Sequence, residues 1–174
     1  MKKILGIALT ILLFSCHAPA KEESSAINVT DVKLGASFPV PALIEAEKTK
    51  NSPTFIQFRA PVKGPLSKYF VDVEILLFYE ERKVFRLTGE RACLSYSQCE
   101  SITEEIKKYL KEMYQDLEFI KETRQYHSAK ADKQFFVGNY IAEGSSYHAV
   151  RLQVTNKLLN IKADAMLREH AQNN

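Results

Sequence analysis

Hydrophobic and polar positions alternate most regularly between residues 69 and 79, where Val71, Val73, Ile75 and Leu77 are separated by Asp72 and Glu74. A period of two is that of a strand with one buried face. Leu76 and Phe78 occupy the polar positions at the far end, so that end is expected to be covered on both faces. Glu80-Glu81-Arg82 interrupts the pattern and residues 83–88 resume it, which predicts a hairpin whose second strand stops at Gly89. The aromatic run 54–59 predicts an earlier strand, and Lys63-Gly64-Pro65 a break after it. Over 101–115 the period changes. Ile102, Ile106, Tyr109, Leu110 and Met113, with Leu117 beyond them, recur at helical spacing and form one apolar stripe. Ser101-Ile102-Thr103-Glu104 reads as a capping box at the start of this helix. Glu104 and Lys108 form a favourable pair one turn apart.

Strand patterns return afterwards. Residues 117–126 predict one strand, 130–133 a turn, and 134–142 a strand rich in Phe, Val, Tyr and Ile. Glu143-Gly144-Ser145 predicts a tight turn into a strand over 146–154. His148, Val150, Leu152 and Val154 fall on one face of that strand, and Tyr147, Ala149, Arg151 and Gln153 on the other. Thr155-Asn156-Lys157 turns the chain again, 158–162 closes the sheet, and 163–170 has helical composition. The stretch 27–53 reads as an irregular arm lying on the domain. It contains a short strand near 28–34, an extended Phe38-Pro39-Val40-Pro41 segment and a helical turn over 42–48.

Three strands, a helix and four more strands predict an α+β fold over 27–174, an antiparallel sheet of six or seven strands with one main helix packed on a face. A meander, a helix and a second meander, with an aromatic, Gly-containing hairpin from Phe135 to Val154, resembles the PsbP-like family over about two-thirds of the chain. That resemblance implies a non-catalytic accessory module.

The first sixteen residues follow a different logic. Lys2 and Lys3 precede an apolar run from Ile4 to Phe14, and Ser15 and Cys16 end it. A charged start, an apolar middle and a small-residue exit make a secretory signal. The run is shorter than the roughly 20 residues that cross hydrocarbon. Leu13-Phe14-Ser15-Cys16 resembles the lipobox of bacterial lipoproteins, with Phe14 larger than the residue usual there. The resemblance implies removal of 1–15 and a diacylglycerol on the Cys16 thiol; the polar, small residues up to Ala26 read as a flexible tether over 16–26. Several acyl chains would hold the domain on a membrane. In Gram-negative lipoproteins Asp at this position implies inner-membrane retention; with His17 there, the resemblance points in such a cell envelope to the outer membrane, facing the periplasm. Ala18-Pro19-Ala20 offers an alternative cleavage site that would discard Cys16.

Charge and chemistry narrow the function classes. The 174 residues carry a formal charge of +3; losing Lys2 and Lys3 with the signal leaves +1, which argues against nucleic acid as a partner. Three cysteines are an odd count for an exported chain. Lipidation of Cys16 leaves Cys93 and Cys99, expected to form a disulfide in an oxidising compartment. A loop this short contributes about 2.4 kcal/mol in the chain-entropy account. His17, His127, His148 and His170 show no zinc-binding spacing, and neither a metal nor a cofactor is expected. Gly144-Ser145-Ser146-Tyr147-His148 lacks the nucleophile elbow and reads as a turn. Asp72 and Glu74 read as a solvated strand face, and His148 as a core or edge histidine. Tyr140, Tyr147, Arg151 and Gln153 form a candidate partner-binding face, of residue types that anchor interfaces, unless the face lies under the helix. The expected function is therefore non-enzymatic. It is that of a lipid-anchored envelope protein that binds another protein, as an inhibitor or immunity factor or as an accessory to an envelope complex. The alternative, a carrier of a small apolar ligand or lipid, requires a cavity between helix and sheet.

Overall fold

Seven antiparallel strands form one sheet in a computed structural model of the chain, which describes residues 26–38, 55–141 and 147–172. In chain order the elements are β1 (Phe55–Pro61), β2 (Asp72–Phe78), β3 (Val84–Cys93), α1 (Tyr96–Met113), β4 (Leu117–Ile120), β5 (Gln125–Ser128), β6 (Lys133–Ile141), β7 (His148–Thr155) and α2 (Lys157–Gln172). The strand order is β1-β2-β3-β7-β6-β5-β4, so β7 returns to the centre and joins the two meanders. The class is α+β, as the alternation predicts.

One face of the sheet carries Val73, Ile75, Leu77, Leu87, Phe135, Val137, Val150, Leu152 and Val154, all buried against Ile102, Ile106 and Leu110 of α1. The N-terminal arm completes this core. Ile27 bridges Val62, and Val29 and Val32 are buried. The Lys133 ammonium reaches the arm from β6 and donates to the Thr30 carbonyl at 2.6 Å. Burial pushes the pKa of Lys133 down from its ordinary value.

The other face is covered at one end only. Phe55, Phe78 and Phe85 pack there with Ala163 of α2, and Leu76, Leu159 and Met166 border them. This bears out the expected double coverage at the far end of β2. Arg86 donates to Asn160 of α2 at 2.7 Å. Glu81, in the β2–β3 turn, pairs with Lys162 of α2 and with Lys83.

Several local expectations are corrected. Val71 lies before β2 and is 87% exposed. Gly89 continues β3 rather than ending it, because the Phe70 ring occupies the space its side chain would fill: a Cβ there would sit 3.0 Å from that ring. The helix cap lies six residues before the expected Ser101. Ser95 is the N-cap and accepts from the Gln98 amide at 3.2 Å, while Gln98 reaches back to the Leu94 amide at 2.7 Å. Glu104 lies inside α1 and pairs with Lys107, not Lys108. The single strand expected over 117–126 is two short strands, β4 and β5, hinged at a turn where Arg124 has φ +54°. Residues 158–162 are helical. Asn156 Oδ1 accepts from the Leu159 amide at 3.1 Å and starts α2 there. The signal, Cys16, the 42–48 turn and the Glu143-Gly144-Ser145 turn lie outside the described residues.

Candidate functional site

The end of the sheet at which β3 runs into α1 carries the most prominent surface feature. The Cys93–Cys99 disulfide joins the last residue of β3 to the first turn of α1, with Cα atoms 5.6 Å apart. Leu94 sits between that bridge and the Ser95 cap. Its backbone is held on both sides, and its side chain is 96% exposed. Tyr96, two residues on, is 57% exposed.

Strand register brings the β6–β7 hairpin to the same place. Cys93 lies opposite His148, and His148 opposite Ile141, in one row across three strands. The Tyr96 ring meets the His148 ring edge-on with centroids 5.7 Å apart. Ile141 and Tyr147 are both more than half exposed. Tyr96 and Ile141 thus flank the half-buried His148, and the exposed Leu94 and Tyr147 are chain neighbours of Cys93 and His148 in the same row. Residues 92–99 and 144–150 contain no Asp, Glu, Lys or Arg. Ser95-Tyr96-Ser97 lies in the first stretch and Gly144-Ser145-Ser146-Tyr147 in the second. Tyrosine supplies a large rigid contact area at low entropic cost, and serine and glycine supply adaptable polar contacts.

Three of the four residues singled out from the sequence share the sheet face opposite α1. In the register, Tyr140 pairs with Ala149, Arg151 with Glu90, and Gln153 with Thr88. The Arg151 Nε lies 2.6 Å from a Glu90 carboxylate oxygen, and its guanidinium stacks 4.4 Å from the centre of the Tyr140 ring. Burial and the hydrogen bond to Glu90 raise the Tyr140 phenol above its ordinary pKa, so it keeps its proton. Glu90, Arg151 and Tyr140 satisfy one another. Tyr147 stands apart from them, one residue outside the ladder and beside His148. The face is not under α1, and α2 covers only its far end.

The remaining candidates have structural partners. Asp72 pairs with Arg59 at 3.7 Å, and Glu74 accepts from Gln57. Among the described residues no three His, Cys, Asp or Glu side chains are grouped to hold a metal ion. Tyr69 donates to Glu105 at 2.7 Å and Lys68 to the same oxygen at 3.2 Å; these bonds hold the Glu105 carboxyl below its ordinary pKa.

Leu94, Tyr96, Ile141 and His148 escape a search by motif because their proximity is made by register and by the disulfide. The one linear signal is a leucine directly after a cysteine in a charge-free Ser-Tyr-Ser stretch. No family model, no curated protein and no solved structure matches the chain.

Proposed function

We propose that the chain is a lipid-anchored envelope protein that binds another protein through the end of the sheet formed by the disulfide loop and the β6–β7 hairpin. The observation that carries this reading is Leu94, almost fully exposed on a backbone held by the Cys93–Cys99 bridge and the Ser95 cap. An apolar side chain displayed on a pre-ordered loop loses little entropy on insertion into a partner. Tyr96, Ile141 and Tyr147 expose further apolar area at the same end of the sheet, and exposed apolar patches mark interaction sites on soluble domains. The Tyr140–Arg151–Glu90 face, with Gln153, adjoins this end and enlarges the contact area. The N-terminal pattern ending in Ser15-Cys16 supports export and anchoring, and the disulfide fits an oxidising compartment. The role is that of an inhibitor, an immunity factor or an accessory subunit, with no chemistry performed on a substrate.

The test is affinity capture from envelope extract with the full chain and with a Leu94→Ser/Tyr147→Ala variant of unchanged melting temperature. The reading predicts a partner retained by the parent chain and lost at least tenfold by the variant. Equal retention by both would overturn it.

A further inference from the structure

β6 outruns its neighbour. The last residue of β6 paired with β5 is Phe135, opposite Tyr126, yet β6 continues to Ile141 with β7 on one side only. Among the described residues no backbone group pairs with the other edge of Val137–Ile141. Alternate residues of such a strand turn both N–H and C=O outward, a ready template for another strand. Sheet edges are usually blunted by charge, proline or brevity. The two outermost strands here follow that rule: β1 carries Arg59 and ends at Pro61, and β4 is four residues long and includes Glu118. The free stretch of β6, Val137-Gly138-Asn139-Tyr140-Ile141, has none of these guards.

We infer that this edge pairs antiparallel with the same edge of a second copy of the chain. Antiparallel self-pairing brings both copies of the stretch within a few residues of each other, so any charge on the edge would lie near its own copy; the stretch contains none. Centred on Asn139, the pairing sets Val137 opposite the exposed Ile141 on the α1 side of the sheet. On the other side it sets Tyr140 opposite Gly138. The Phe136 ring already lies over Gly138, where an added Cβ would fall 2.8 Å from it. Tyr140 of one copy therefore meets the Phe136 ring of the other, and aromatic cross-strand pairs of this kind favour association. A ribbon of this length buries less than the roughly 1,000 Å² of a stable interface. The dimer is therefore reversible and concentration-dependent. It does not depend on the partner-binding reading above.

Sedimentation velocity of the full chain carrying Cys16→Ser, which removes any acyl group, tests the inference between about 1 µM and about 1 mM. The expected result is a monomer that becomes a dimer within that range. Hydrogen exchange of the 137–141 amides should slow in step with dimer formation. Ile141→Lys, at a 61% exposed position, should weaken the dimer at least tenfold without changing the melting temperature. A monomer throughout, a dimer indifferent to Ile141→Lys, or slowed exchange confined to other segments would overturn the inference. So would protection of 137–141 that appears only when another protein is added.

Discussion

The Tyr96 ring rests edge-on against the ring of His148, 5.7 Å between centroids, and so joins the disulfide loop to the first residue of β7. Two loops distant in sequence act as one surface because of this contact and the Cys93–His148–Ile141 row. Tyr96→Ala should free the loop's aromatic anchor while leaving the core intact. We expect the melting temperature to change by no more than about 2 °C, because the site is exposed. The exchange of the His148 amide should accelerate, as seen by hydrogen-exchange mass spectrometry.

Removing the bridge should have a larger effect. Cys93→Ser/Cys99→Ser loses a short covalent loop worth about 2 kcal/mol in the chain-entropy account. The melting temperature should fall by roughly 4–8 °C. Partner capture should fall with it even below the new melting temperature, since Leu94 is then no longer pre-ordered. Differential scanning calorimetry of the double variant beside the parent chain measures the first effect.

Glu81 links the β2–β3 turn to α2 and should dominate one part of the acid response. Hydrogen bonds from Lys162 and Lys83 lower its pKa from 4.5 to about 2. The unfolded chain therefore takes up this proton before the folded one does. The stabilising contribution is complete above about pH 4.5 and is lost as the pH falls towards 2. Glu81→Gln should flatten the fall in melting temperature across that window and leave the slope above pH 5 unchanged.

Lys133 should act in the opposite direction. Burial holds its pKa below the ordinary 10.5, so between the folded value and 10.5 the unfolded chain binds more protons. Stability gains from this residue as the pH rises towards 10.5. Lys133→Met should abolish that alkaline gain. At pH 7 it should be as stable as the parent chain to within about 1 kcal/mol, because a buried charge is replaced by an apolar side chain of similar length. Tyr114 still donates to the Thr30 carbonyl at 3.2 Å in its absence, which keeps the arm in place. Urea denaturation at pH 7 and pH 10 separates the two effects.

Gly89→Ala tests the reason β3 passes its expected end. The new methyl would approach Phe70 at 3.0 Å and Val73 at 3.2 Å in a fully packed region. Overpacking of this kind costs about 1–3 kcal/mol, read as a lower urea midpoint with an unchanged slope.

The sheet was legible wherever one face of a strand is buried and the other is wet. Val73, Ile75 and Leu77 alternate with Asp72 and Glu74, and no helix accommodates that pattern. Where a segment is short or apolar on both sides, the reading fails for definable reasons. Leu158-Leu159-Asn160-Ile161-Lys162 resembles a strand in isolation. The helix emerges only when Asn156 is recognised as its cap and Leu159, Ala163 and Met166 as its buried stripe. Ser101 and Ser95 are both competent caps. Tertiary packing of Cys99 and Ile102 decides for the earlier one, because both must lie on a helix already formed. The arm was legible only as an arm, since Ile27, Val29 and Val32 enter the core singly. At the candidate site, Tyr140, Arg151 and Gln153 could be placed on one face by counting residues. Tyr96 could not be brought against His148 by any count, because that proximity depends on β7 crossing to the middle of the sheet.

Hydrogen-exchange mass spectrometry of the chain, free and in complex with the partner recovered from envelope extract, tests the proposed role most directly. The account predicts slowed exchange in residues 93–99 and 147–151 on complex formation, with α2 and β1 unchanged. Protection that falls on α2 or β1 and spares the disulfide loop would contradict it.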